Sequence, residues 1–342
     1  MKPAAPDDDA TVKIVRKPGL PPARRMHRGL GFVFAGALAV GVSAGTIGWL
    51  FWPHPAPVVV QPQAIPNPPA VPRSPEFAIQ TATEAQIRDN TRGGLTIFRA
   101  AANPNILVLD FSSLLEQGLM LNRLGAFVEK AQAPHDRLLT DAELEQIVRS
   151  GGDTTETFYY GHDYSAATVA KFFKLADRDR VTLNQQEEAL RRLMLQEGWL
   201  VDGKTGGLIS VPRVGADAQV TAEARATILH HELSHGEYFS NPDYVTYTHQ
   251  FWTAVLTAAE RDAVRKYLRS AAYDSSLEDL MENEAQAYLV FTFNPAFFTP
   301  AMVGMTEARR SDLRAIFLRD MPAAWLRDSS PALSGVEKAS AH

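Results

Sequence analysis

Residues 230–239 read HHELSHGEYF, which gathers three of the chain's nine histidines and two glutamates into one short stretch. Within it His231, Glu232 and His235 form the pattern H-E-x-x-H. Residues four apart on a helix point the same way, so the two imidazoles can hold one metal ion while Glu232 stands at the ion's open side. With Ile228 as reference on a helical wheel, Ala224, His231, His235 and Phe239 gather within about 60° of it, on the apolar side. Both histidines of the pattern are therefore expected to face inward. His230 and Glu237 fall on the opposite face and are expected to be exposed to solvent.

A catalytic zinc site needs a third protein ligand and keeps a fourth position for water. The chain has no cysteine, so that ligand must be His, Asp or Glu, and disulfides and thiolate nucleophiles are excluded. His235 is followed by GEYFSN, which rules out the continuation H-x-x-G-x-x-H. Downstream, SSLEDLMENEAQAYLVF reads as a helix opening near Ser276, with Ser275 and Glu278 as a capping box. Leu277, Leu280, Met281, Ala287, Tyr288 and Phe291 share its apolar face, and Asp279, Glu282 and Gln286 lie opposite. Glu284 sits at the centre of the apolar face. A buried carboxylate must be protonated, paired with a base or bound to a cation. No Lys or Arg occurs between Arg269 and Arg309, so a neighbour on the same helix is excluded. A distant arginine is the alternative to a metal already held by His231 and His235.

These residues resemble the gluzincin metallopeptidases, in which H-E-x-x-H on one helix is joined by a glutamate from a second. Asn283-Glu284, 49 residues after His235, looks like the start of the second motif of thermolysin-like enzymes. The resemblance implies a Zn2+ ion on His231, His235 and Glu284, a peptide or protein substrate, and Glu232 as the general base that takes a proton from a zinc-activated water. It also implies a donor for the developing oxyanion, for which Tyr247 and Tyr244 are the first candidates and His249 and Tyr273 the others. The sequence departs from the family at Tyr288, where thermolysin-like enzymes carry an aspartate that orients a ligand histidine. The likeness is confined to these two helices and the hairpin before them.

The elements that must position these groups are mostly helical. Thr140 and Glu143 open a helix as a capping box, and periodic apolar patterns run at about 165–178, 183–198, 221–239, 275–293 and 306–318. Leu95–Arg99 and Ile106–Phe111 read as short strands. Trp199–Val201 and Leu208–Val211, around Asp202-Gly203, read as a β-hairpin; Leu208–Val211 is either an ordinary hairpin strand or the edge along which an extended peptide aligns. YYGHDY at 159–164 reads as a turn or as cleft lining. The expected fold is mainly α (α+β), a zincin-like metallopeptidase domain with a small β-hairpin or sheet, spanning 76–328. Neither a G-x-S-x-G elbow nor a phosphate-binding glycine loop is present.

In front of this domain, Gly29–Trp52 is 24 residues without a charge, long enough for one transmembrane helix acting as a signal anchor. Residues 1–28 are basic and 53–75 hold nine prolines, so the N-terminus is expected in the cytoplasm and a Pro-rich linker carries the domain outside the cytoplasmic membrane. Val42-Ser43-Ala44 resembles a cleavage site, and its use would make the domain secreted. Residues 329–342 are expected to be a disordered tail. Residues 1–75 carry eight Lys or Arg against three Asp or Glu, and the remainder 26 against 36. That acidic remainder argues against nucleic acid as a partner. The function expected is a membrane-anchored zinc metallopeptidase. The alternatives are a hydrolase of cell-wall peptide crosslinks and a catalytically inactive zinc-binding envelope protein.

Overall fold

The computed structural model describes residues 76–328. The expected cytoplasmic segment, transmembrane helix, linker and tail lie outside them, and among the described residues no helix is long and apolar enough to cross a membrane.

In chain order the elements are β1 (Ile79–Ala82), α1 (Glu84–Arg88), β2 (Thr96–Ala100), β3 (Ile106–Phe111), α2 (Leu114–Glu129), α3 (Asp141–Ser150), β4 (His162–Ser165), α4 (Ala166–Asp179), α5 (Gln185–Gln196) and β5 (Gly207–Pro212). There follow α6 (Ala222–Ser240), α7 (Pro242–Gln250), α8 (Ala258–Ser270), α9 (Glu278–Gln286), α10 (Glu307–Asp320) and α11 (Ala324–Asp328). The domain is thus mainly helical around a small mixed sheet of order β1-β2-β3-β5-β4, in which β1/β2 and β3/β5 are parallel and the other pairs antiparallel. The helices over 165–178, 183–198, 221–239 and 306–318 and the Thr140–Glu143 capping box form as expected.

The sheet is covered on both faces, and its side chains alternate accordingly. Val108 and Ile106 of β3 pack with α6, whereas Leu107, Leu109 and Phe111 pack with α2, α4 and α5. This double burial explains why ILVLDF reads as a continuous apolar run. Asp110 is the exception, and it is fully buried on the α6 side. Its two oxygens accept from Arg225 at 2.9 and 3.0 Å, and Asn90 donates to it at 2.7 Å. The pair ties β3 to the first turn of α6.

Two expectations about the strands are overturned. Trp199–Val201 forms no strand, and Leu208–Val211 is no hairpin edge: β5 lies inside the sheet between β3 and β4. Its true neighbours come from distant segments, and local turn chemistry could not reveal them. The edge is β4, built from the His-Asp-Tyr of YYGHDY, with His162 and Tyr164 buried and Asp163 on the alternate face. The second correction is to the helix carrying Glu284. It begins at Glu278 with Leu277 as its cap residue and no side-chain cap, because Glu278 instead accepts from Trp252 and Arg265.

Helix α6 approaches the sheet closely where two glycines meet. A Cβ on Gly207 would stand 2.8 Å from the Cα of Gly236, and one on Gly236 would stand 2.9 Å from Ile106. The glycine of HELSHG therefore sets how near this helix comes to the sheet at β3 and β5.

Asp110→Asn leaves the Arg225 guanidinium buried without its counter-charge. It is expected to cost about 3–5 kcal/mol of unfolding free energy in urea titrations, and a loss below about 1 kcal/mol would show that this pair does not hold the sheet to α6.

Candidate metal centre

Every residue of α6 from Thr227 to Tyr238 is buried, so this helix runs through the interior and has no solvent face along that length. His230 and Glu237, expected at the surface, are 0% and 2% exposed. The wheel divides them correctly from His231 and His235, but other elements cover their side. His230 lies with Nδ1 2.9 Å from Glu84 Oε1 of α1, and its ring packs on Phe291 and Phe293. Glu237 accepts from Asn103 at 2.7 Å, Asn241 at 2.7 Å and the Trp325 indole at 3.2 Å. Glu282 and Gln286, placed on the polar side of α9, are buried as well.

On the other side of α6, His231 Nε2 and His235 Nε2 face each other at 3.1 Å. His235 Nε2 is 3.9 Å from Glu284 Oε1. One donor atom from each of these three buried residues lies within 4.8 Å of the others. Two nitrogens each about 2.0–2.1 Å from a zinc ion would span such an N–N distance at close to a right angle. The Glu284 carboxylate must move inward to share that ion, since its 3.9 Å spacing nearly equals two such bonds end to end. The residues thus suit a metal ion, with both imidazoles and the carboxylate as ligands.

The tautomer of His231 follows from its neighbour. The Thr292 hydroxyl lies 3.0 Å from the carbonyl of Ala287, which can only accept, so its hydrogen is committed there. The Thr292 oxygen then accepts from His231 Nδ1 at 2.8 Å, which leaves the lone pair on Nε2, turned toward the site. Thr292 reaches this position because α9 continues into a π-helical turn, Ala287–Phe291. The wider i→i+5 turn lags the normal helical rotation and brings Thr292 round to the face of Glu284. Tyr288, which stands where thermolysin-like enzymes have aspartate, packs its ring edge-on to His231 at 5.0 Å instead.

Glu232 lies against Gly161, at the entrance to β4, so closely that a Cβ there would overlap its Oε1. Glu232, His235 and Asp163 form a second group with donor atoms within 4.8 Å of one another. Asp163 Oδ1 is 3.7 Å from His235 Nδ1. Glu129, at the end of α2, acts electrostatically on Asp163, Glu232 and Glu284. Buried oxygens of Glu129, Glu232 and Glu284 meet no hydrogen-bond partner. Four carboxylates thus crowd one interior region, and Lys130 is the cation that acts on Glu129 and Glu284. Its ammonium is buried over the rings of Tyr159 and Tyr273 at 4.7 and 5.0 Å.

Burial dominates the titration of these groups. It pushes Glu129 up to about 8, with Asp163 adding to the effect, and Asp163 itself up to about 7. Glu232 and Glu284 are held well above the usual carboxylate range by burial first and by Asp163 next. The imidazoles shift the other way: burial takes His235 down to about 4 and His231 well below its ordinary value. Neutral imidazoles beside strained carboxylates are the state that a cation would relieve.

Neither tyrosine put forward as an oxyanion donor has a free hydroxyl. Tyr244 donates to Gln286 Oε1 at 2.8 Å, and Tyr247 donates to the Phe317 carbonyl at 2.8 Å, both within the packing around α10. His249 is paired with Glu282 and its side chain is 60% exposed. The tyrosines beside the centre are Tyr288 and Tyr273, both buried and both acted on by Glu284. Asp163 lies in YYGHDY, which on sequence is either a turn or cleft lining and belongs to the cleft; Glu129, Gly161 and Thr292 were not foreseen. Alternation in YYGHDY signals a strand and could have placed Asp163 on it; nothing local marks the other three.

Comparison with known protein families, with curated proteins and with solved structures returned no match for this chain.

Thr292→Val keeps the shape of the side chain and removes the acceptor for His231. Zinc affinity measured by chelator competition is expected to fall about 10–100-fold, with Thr292→Ser restoring it. A second expectation concerns pH in the metal-free protein. Carboxyls with raised pKa favour the folded state while protonated, and that contribution is lost as pH rises through their folded values. The depressed histidines act oppositely, but only below their unfolded value of about 6.5. Between there and the value of about 8 for Glu129, the melting temperature in chelator is expected to fall as pH rises. Saturating zinc should flatten or reverse that slope.

Proposed function

We propose that this domain is a zinc-dependent peptidase of gluzincin type, held outside the cytoplasmic membrane by the uncharged segment 29–52. The observation that carries the reading is the meeting of His231, His235 and Glu284 from two helices at one buried point, with Glu232 beside them. A buried salt bridge to a distant arginine was the alternative for Glu284; its ion-pair neighbour is instead His235 at 3.9 Å, with Lys130 acting on it from farther away.

When bound, zinc supplies a Lewis acid for a carbonyl oxygen and a water of lowered pKa. Glu232 takes the proton from that water at a carboxylate oxygen and passes it to the leaving amine. Gly161 fixes where the carboxylate stands, because only a residue without Cβ leaves room for it. Thr292 orients His231, and Asp163 lies on the Nδ1 side of His235. For the oxyanion the candidate donors are Tyr288 and Tyr273, two buried tyrosines that share a hydrogen bond beside Glu284.

A peptide substrate is supported by the edge of the sheet. Among the described residues β4 pairs with β5 on one side and with no other strand on its outer side, and it carries Asp163 of the site. An extended peptide added along this edge would run past Glu232 and the ligand histidines, the role considered for Leu208–Val211 on sequence grounds.

Three variants test the reading on protein loaded with zinc. Glu232→Gln should keep zinc and lose at least about 10³-fold in turnover of an unstructured protein substrate, as expected for loss of a general base. Gly161→Ala should also keep zinc and lose turnover, because the new methyl displaces Glu232. Glu284→Ala should lose zinc. Wild-type turnover in Glu232→Gln would refute the mechanism, and full zinc occupancy in Glu284→Ala would refute the third ligand.

A further inference from the structure

A groove of about 410 Å³ opens beside the metal centre, between Asp163–Ser165 of β4, the end of α2 and the start of α9. Its charged lining is wholly acidic: Glu129, Asp163, Glu278 and Asp279, with no Lys or Arg. Glu278 and Asp279 lie at the exposed rim, where Arg265 answers Glu278. Glu129 differs. It is 4% exposed, and although Lys130 and Tyr159 act on its carboxyl, its Oε2 meets no hydrogen-bond partner. The adjacent Lys130 turns its ammonium onto aromatic rings and the carbonyl of Ala271, 3.3 Å away. The rest of the lining is mixed, apolar from Val128, Tyr238, Phe239 and Leu280 and polar but uncharged from Ser165, Thr168 and Asn283.

A hydrocarbon wall ending in a buried, underused carboxylate matches a side chain with a long apolar stem and a cationic head. An apolar side chain would leave Oε2 without a partner, and an acidic one would add a further carboxylate to a region already crowded with them. We propose that this groove is a specificity pocket for a Lys or Arg side chain of the substrate, the stem lying along Val128, Tyr238 and Phe239 and the head reaching Glu129. The groove touches the site through Asp163, so that side chain would sit close to the bond to be cut. The proposal rests on the peptidase reading for its consequence in catalysis, and on the groove alone for binding.

The test uses full-length protein loaded with zinc and a set of amino-blocked peptides that differ at one residue: Lys, Arg, norleucine or Glu. Lys and Arg peptides should have the highest kcat/KM, and the Glu peptide the lowest. In Glu129→Gln the ratio of kcat/KM for Lys over norleucine should fall at least about 30-fold, the size expected when one partner of a buried charge pair is removed. Circular dichroism and zinc content show whether that variant is folded. Should it not fold, equilibrium binding of the same fluorescent peptides to Glu232→Gln decides: tighter binding of Lys and Arg than of norleucine supports the pocket. Equal binding or equal kcat/KM across the set overturns it, as does a preference that appears only with unblocked peptides. Absence of hydrolysis for every peptide, together with selective binding, would overturn the peptidase reading and leave the pocket standing.

Discussion

Helix α6 crosses the interior with polar groups that are mostly answered by neighbouring elements on one side and gathered at the candidate metal centre on the other. His230, His231, Glu232, His235 and Glu237 are all buried within it. A polar group removed from water costs free energy unless it finds a partner. On one side the partners are protein: Glu84 for Nδ1 of His230, whose Nε2 meets none, and Asn103, Asn241 and Trp325 for Glu237. On the other side His231 and His235 face each other, and oxygens of Glu232 and Glu284 have no hydrogen-bond partner. That asymmetry separates a structural half of the helix from a chemical half.

The surrounding fold supplies what this burial requires. Gly236 meeting Gly207 lets α6 press on the sheet, and Arg225 on Asp110 fastens its first turn to β3. The sheet order then places β4 at an edge beside the histidines, and Gly161 makes room for Glu232. From behind, α9 brings Glu284, and its π-helical turn returns Thr292 to His231. Carboxylates outnumber cations in the space so enclosed, and with burial this makes the region favourable to a bound cation.

Much of this site was legible because helical spacing is a local property. The i, i+4 relation of His231 and His235, and the position of Glu284 in the middle of an apolar face, need only the rotation per residue to be read. The same wheel failed for His230, Glu237, Glu282 and Gln286, since it ranks faces by polarity and cannot know that α1, α7 or α11 covers the polar one. The assignments of Tyr244 and Tyr247 failed for a related reason: a hydroxyl's partner is set by packing across the chain, here Gln286 and the Phe317 carbonyl. For the strands, the apolar run Ile106–Phe111 was clear, whereas the four-residue β4 is too short and polar to stand out.

By itself the sequence determined the mainly helical character, the central helix with its inward pair of histidines, and the inward glutamate that needs a partner, because each depends on periodicity within a dozen residues. Tertiary structure alone decided that β5 is interior and β4 the edge, that Asp163 and Glu129 join the site, and that Thr292 fixes the tautomer of His231. Those features are contacts between residues tens of positions apart, and their existence depends on how helices and strands are stacked, which no local pattern encodes.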